Sequence, residues 1–250
     1  MNRNAPVPPT WTTGSTEVFK TGTWRAALPL HVHAPSPCHQ ACPVGGEIAE
    51  WIGHARQREF HAAWEVLTRH NPFPAIAGRI CHHPCEPACN RAGHDEALSI
   101  CKLERFIGDA AIAQGWTLTP PATERAGHVA VIGAGPAGLS AAYQLRRRGW
   151  RVTVYEASAE PGGLMRHGIP SYRLAREVLD AEIARLVALG VQIRCNEPLA
   201  DATQFARLRA THDAVFVATG AARTKRLPAL DYRLPGVMDG AAYLAASNAG

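Results

Sequence analysis

Six cysteines lie between residues 38 and 101 of this 250-residue chain, in short repeated spacings. They occur as Pro37-Cys38-His39-Gln40-Ala41-Cys42-Pro43, as Cys81-His82-His83-Pro84-Cys85-Glu86-Pro87-Ala88-Cys89, and at Cys101; the seventh, Cys195, stands apart. Pro84 and Pro87 forbid a regular helix through the second group, so its three thiols sit on an irregular wrapping loop. Such spacing gathers several thiolates around one soft metal centre, and a Cys followed by Pro, as at Cys42-Pro43, also ends the bacterial ferredoxin run. Inert core cysteines do not cluster in this way. A structural zinc site draws on the same donors, and His31, His33, His39, His82 and His83 are near enough in sequence to keep that reading open, although C-x2-C pairs are absent. The odd cysteine count, in a chain whose start has no apolar signal region, argues against a disulfide framework.

A second chemistry sits downstream. Gly133-Ala134-Gly135-Pro136-Ala137-Gly138 follows the apolar run His128–Ile132 and leads into a helix pattern over Leu139–Arg148 closed by Gly149. The first glycine permits a tight turn, the second lets a pyrophosphate approach the backbone, and the third allows close helix–strand packing. The helix start offers unpaired N–H groups to that pyrophosphate. A second strand, Arg151–Tyr155, ends at Glu156, placed to accept from ribose hydroxyls; an acid there disfavours a 2′-phosphate, leaving FAD or NAD. Glu160-Pro161-Gly162-Gly163-Leu164-Met165-Arg166 is a further glycine-rich loop, suited to backbone passing close to a flavin and its phosphates.

The elements that must position these groups divide into two kinds. Ahead of residue 117 the sequence predicts helices over Glu47–Arg56 and Glu59–His70, a breaker at Asn71-Pro72-Phe73-Pro74, and a helix from about Ala97 to Ala113. After the Pro-rich stretch Thr117–Thr123 it predicts alternating strand and helix: a helix over Leu174–Leu189 with Val178, Ile183, Leu186 and Leu189 on one face, strands at Val191–Ile193 and from Asp213, a small-residue turn at Ala218-Thr219-Gly220, and a short helix near Ala241–Ser247. We therefore expect an α + α/β chain: an extended arm over 1–36, a helical iron–sulfur domain over 37–120, and a Rossmann-like FAD-binding domain over 126–250.

Composition narrows the function classes. Lys+Arg number 26 against Asp+Glu 21, a net +5. The excess lies wholly in the second half, densest at Arg146-Arg147-Arg148, which reads as a solvated helix face. No basic stripe is interleaved with aromatics, so nucleic-acid binding is not expected. No apolar run reaches about 18 residues, so no membrane span is expected. The chain reads as cytoplasmic.

With these motifs in place, the whole chain resembles the small (β) subunit of bacterial glutamate synthase and related iron–sulfur flavoproteins. That family includes the N-terminal region of dihydropyrimidine dehydrogenase and the large subunit of NADPH–ferredoxin transhydrogenase. The resemblance rests on Cys38–Pro43, Asn71–Pro74 with Gly78–Cys81, Pro84–Glu86, Cys89, Leu103–Phe106, Gly133–Gly138, Gly162–Pro170 and Ala218–Gly220. It implies two 4Fe–4S clusters in the helical domain. One would be held by Cys42, Cys81, Cys85 and either Glu104 or Cys101, which face the same way on the predicted helix. The other would use Cys38 and Cys89, but its two earlier cysteines are replaced by Leu30 and His33, which leaves it absent, rearranged, or completed by His31, His33 or Cys101.

The resemblance further implies FAD held by Gly133, Gly135, Pro136, Ala137, Gly138 and Glu156, with Gly162, Gly163, Leu164, Arg166, Thr219 and Gly220 nearer the flavin side. It implies an NAD(P)H domain inserted after the Ala-Thr-Gly turn, of which 30 residues after Gly220 show no second glycine fingerprint. The reading is thus of a fragment, with that domain supplied elsewhere. The expected function is an oxidoreductase subunit passing electrons between NAD(P)H, FAD and cluster to a partner subunit or ferredoxin-like acceptor in a hetero-oligomer, with no catalytic side chain needed because the cofactors carry the chemistry. Two other readings stand beside it: a non-enzymatic electron-transfer or assembly subunit docking a larger redox partner, and a zinc-stabilised FAD protein.

Overall fold

The computed structural model describes residues 35–221 and 224–249, so most of the expected arm, with Leu30, His31 and His33, lies outside the described residues. The helical part contains α1 (Pro37–Ala41), α2 (Ile48–Arg56), α3 (Phe60–Thr68), α4 (Pro74–Ile80) and α5 (Ile100–Ala113), with a 3-10 turn at Asn90–Gly93. Helices α2 and α3 bury Ile48, Trp51, Ala55 and Ala63, Trp64, Leu67, the i, i+3/i+4, i+7 stripe of an amphipathic helix.

Pro74 corrects the reading of Asn71–Pro74 as a breaker alone. It opens α4 at the first helical position, where a missing N–H costs nothing and the fixed φ suits the helix. Helix α4 then packs against α5 with backbones almost touching. A methyl on Gly78 would lie 2.4 Å from the Arg105 backbone, and one on Gly108 would lie 2.3 Å from the Ala75 nitrogen. Arg79 adds a two-point pair to Asp109 at 2.7 and 3.1 Å. Helix α5 begins at Ile100, later than the expected Ala97, with Ser99 as its cap.

Residues 114–127 carry no helix or strand. Beyond them come β1 (His128–Ile132), α6 (Pro136–Arg147), β2 (Arg151–Tyr155), α7 (Leu164–His167), α8 (Arg176–Ala188), β3 (Gln192–Arg194), α9 (Ala202–Thr211), β4 (Ala214–Val217) and α10 (Gly240–Ala249). The sheet order is β3-β2-β1-β4, and every pairing is parallel, with Val129 opposite both Val152 and Ala214. Central β1 is buried from Val129 to Ile132, which is why its sequence is apolar throughout rather than alternating.

One hydrophobic cluster runs through both parts, joining Trp51, Trp64 and Ile107 to Val131, Leu139, Tyr143 and Leu186. Polar contacts seal the seam. The last carbonyls of α3, which no intrahelical N–H can reach, accept from α6 instead: Tyr143 Oη donates to Thr68 O, and Gln144 (3.0 Å) and Arg147 (2.5 Å) donate to Arg69 O.

Candidate functional site

Three segments remote in sequence converge at the C-terminal end of β1. Gly133 leaves the strand at φ +103°, and a methyl there would lie 2.4 Å from the Ala218 carbonyl oxygen. A methyl on Gly138 would fall 1.9 Å from the Gly133 oxygen, and one on Gly163 (φ +51°) would fall 2.7 Å from the Gly135 Cα. The Gly162 N–H closes the arrangement by donating to Ala134 O at 2.8 Å. Only hydrogen fits at these positions, so the turn is a cradle made of main chain. Gly135 caps α6 in extended conformation, and Pro136 and Ala137 leave the start of this 12-residue helix exposed. That is the end where N–H groups and helix dipole favour a phosphate.

The side chains named around the cradle differ in how free they are. Glu156 is buried at the tip of β2, and its carboxylate accepts from Ala134 N–H (2.6 Å) and Ser158 N–H (2.9 Å), which fixes it beneath the glycine turn. Arg166 is buried: its guanidinium donates to Pro161 O at 2.7 Å and pairs with Asp180. Leu164, Thr219 and Gly220 are exposed, leaving them open to a ligand.

The thiols sit around the α4–α5 pair. Cys81 caps the C-terminus of α4, Cys42 caps α1, Cys85 is buried on the intervening loop, and Cys101 lies in the first turn of α5. Burial, with the neighbouring Cys42 and Cys81 sulfurs, pushes the Cys85 thiol up to about 11. Burial, then Glu104, Glu86, Cys81 and Cys85, pushes Cys101 up to about 12. These mutual effects place Cys42, Cys81, Cys85 and Cys101 within one electrostatic neighbourhood. Cys101 also donates its thiol to Gly78 O at 3.0 Å, and its N–H goes to the Glu86 carboxylate at 2.9 Å. Half-buried Glu104 accepts from Asn71 Nδ2 at 2.9 Å, and burial pushes its carboxyl up to about 7.

Cys38, one turn before Cys42, and Cys89 make other polar contacts. Cys38 Sγ is 3.2 Å from Ser36 Oγ. Backbone N–H groups of Leu98, Arg91 and Ala92 hold the Cys89 thiol below its usual range. Among the described residues, no three His, Cys, Asp or Glu side chains converge closely enough to hold one metal ion. A cubane spreads its ligands over separate irons, whereas zinc draws four onto one point. Sequence reasoning missed Glu86, whose carboxylate ties the cysteine loop to α5, and the two crossing glycines, Gly78 and Gly108. For the glycines the signal was present: two glycines within otherwise good helix formers, a pattern that marks close backbone approach.

Residues 31–116 match the family described as dihydropyrimidine dehydrogenase domain II, 4Fe–4S cluster, and residues 131–183 match the NAD(P)-binding Rossmann-like domain. The chain is 39% identical over 199 residues to the NAD-dependent dihydropyrimidine dehydrogenase subunit PreT of Escherichia coli, covering 79% of this chain and 48% of that protein. It is 37% identical over 212 residues to the glutamate synthase (NADPH) small chain of Mycobacterium tuberculosis, covering 84% of this chain and 43% of the relative. To the beta subunit of NADP(+)-dependent formate dehydrogenase from Moorella thermoacetica it is 35% identical over 227 residues, covering 81% of this chain and 32% of the relative. The chain thus spans about half the length, or less, of these curated relatives. Over the matched residues, the chain is similar to a 4Fe–4S domain of the dihydropyrimidine dehydrogenase type followed by an NAD(P)-binding Rossmann-like domain, and to these oxidoreductase subunits.

Proposed function

We propose that this chain is the iron–sulfur and FAD-binding portion of an NAD(P)H-dependent oxidoreductase that delivers electrons to a partner subunit or ferredoxin-like acceptor. The observation that carries the reading is the junction itself: a main-chain cradle that excludes a Cβ at Gly133, Gly138 and Gly163 shares one hydrophobic core with the cysteine-bearing helices. FAD is favoured over NAD at the cradle by the second glycine loop, Gly162-Gly163, folded backbone to backbone onto Gly135. In this reading Gly133, Gly135 and Gly138 with the start of α6 hold the pyrophosphate, and Glu156 faces the ribose. Exposed Leu164, Thr219 and Gly220 border the flavin side. Cys42, Cys81 and Cys85, completed by Cys101 or Glu104, hold one 4Fe–4S cluster; Cys38 and Cys89 are reserved for a second.

FAD, if held there, would supply hydride exchange with nicotinamide and single-electron exchange with clusters. The chain's own residues bind and orient these groups, and none need move a proton. Ligating thiols must be ionised, so cluster assembly has to overcome the raised proton affinities of Cys85 and Cys101. That relatives are subunits of larger enzymes favours a hetero-oligomer. Among the described residues no helix is long and apolar enough to cross a membrane. The odd cysteine count, which argues against a disulfide framework, favours a reducing, cytoplasmic setting.

The test is anaerobic purification followed by iron, acid-labile sulfide, zinc and flavin analysis with EPR of the reduced protein. The reading expects about one flavin with about four iron per cluster and matching sulfide. Zinc without iron or sulfide would overturn it in favour of the zinc-stabilised alternative.

A further inference from the structure

Helix α8 touches both halves of the molecule through buried polar groups. Its first half holds the glycine loop. Asp180 pairs with buried Arg166, Leu179 packs on Gly162 (3.1 Å from where its Cβ would stand), and Arg176 donates to Met165 O (3.2 Å) and Ile169 O (3.1 Å). Its second half holds the helical part. Glu182, fully buried at 0% exposure, accepts the Ala75 N–H of α4 at 2.9 Å across 107 residues of sequence. Arg185, one turn on, pairs with Glu182 at 3.2 Å, donates to Trp116 O at 3.1 Å, and lies over the Trp64 ring at 5.4 Å.

What Glu182 grips is the thiol platform. Ala75 stands in the first turn of α4, whose other end is capped by Cys81. The same turn is wedged against Gly108 of α5, the helix that carries Cys101 and Glu104. A carboxylate taken wholly out of water at a domain seam is costly to keep unless its partners are fixed. Here every partner belongs to an element that carries site residues or abuts one.

We infer that α8 is the strut that sets the register between thiol platform and glycine cradle, and that Glu182 is its positioning residue. The strut is one rigid helix, so displacement at Glu182 moves Leu179 and Asp180 under Gly162. The inference deepens the proposed function, in which cluster and flavin exchange electrons, because the spacing of the two centres would follow from this contact.

The experiment is amide hydrogen exchange by NMR on the full chain as purified, before any cofactor is counted, for wild type, E182L, E182Q and E182D. In E182L the Ala75 amide loses its acceptor. The strut reading expects exchange to speed by about tenfold or more at Ala75 and also at Gly162, whose N–H bonds Ala134 O, with the conservative E182Q restoring both. E182D keeps a carboxylate for Arg185 but draws it back by one methylene from Ala75, and it carries the test should E182L not fold. Faster exchange confined to Ala75 and its neighbours, with Gly162 at the wild-type rate in E182L or E182D, overturns the inference. On flavin- and iron-loaded protein, the strut reading also expects slower flavin-to-cluster electron transfer after photoreduction in E182L, with midpoint potentials and iron content unchanged. Failure of the wild type to load flavin or iron would count against the proposed function and leave the exchange result to decide the strut.

Discussion

At the glycine cradle, main chain meets main chain: Gly133, Gly138 and Gly163 lie so close to other backbone that the site is shaped before anything binds. At the thiol platform the donors are side chains, and burial holds Cys85 and Cys101 in their neutral form, at about 11 and about 12. One region is complete as folded. The other has its scaffold in the α4–α5 crossing, with its thiols carried on the ends of those helices and on the loop between them. Preorganisation in this chain is therefore carried by backbone where the ligand is a phosphate and by packing where the ligand is a cluster.

The comparison can be broken by variants that strike one region alone. The largest effect is expected from C85S, which removes a buried central thiol. Iron content should fall by at least one cluster's worth while flavin content stays at the wild-type level. Metal-site folding energy is lost with the ligand, so the helical half should also become the easier one to unfold by hydrogen exchange. Next comes G138A, where the added methyl would sit 1.9 Å from Gly133 O. Such overpacking costs about 1–3 kcal/mol, and the cradle must open to relieve it. Flavin absorbance should fall while iron remains. A joint loss of both cofactors in either variant would show that the two regions are not separately built.

A smaller effect sharpens the seam between them. Burial pushes the Glu182 carboxyl from 4.5 up to about 7, against the opposing pull of Arg185 and the Ala75 N–H. Between those values the folded chain keeps a proton that the unfolded chain has lost. The contribution is thus fully present below about pH 4.5 and lost as pH rises through about 7. Glu104, also pushed up to about 7 by burial, adds to the same slope, so denaturant midpoints should fall with rising pH across this range and E182Q should lessen the fall without abolishing it. The least effect is expected from D180N, whose carboxylate is 56% exposed beside buried Arg166. Its loss should change global stability by under about 1 kcal/mol while raising exchange at Gly162.

Much of the cradle was legible because glycine positions are dictated by the backbone alone. A strand, a Gly133–Gly138 turn, a helix and a terminal Glu156 form a pattern local in sequence, and the parallel strands follow from it. The partner of Arg166 was not legible, because Asp180 lies on another helix, away from the glycine-rich loop that carries the arginine. The thiols were legible by type and spacing, but their grouping depends on how α4 and α5 cross. That crossing was hidden because Pro74 reads as a breaker, whereas it opens α4. Glu182 was invisible for a plainer reason. Glu182 and Arg185 stand three apart on a helix and read as a surface ion pair, and only the tertiary fold turns that face inward.

The account's central claim, that cradle and platform serve one redox unit, is tested most directly by anaerobic reductive titration of the cofactor-loaded chain, with absorbance and EPR followed together. The account expects about three electrons taken up per chain, two at the flavin and one at the cubane, or about four if Cys38 and Cys89 complete a second cluster. Uptake of two electrons or fewer, with no cluster signal appearing, would contradict it.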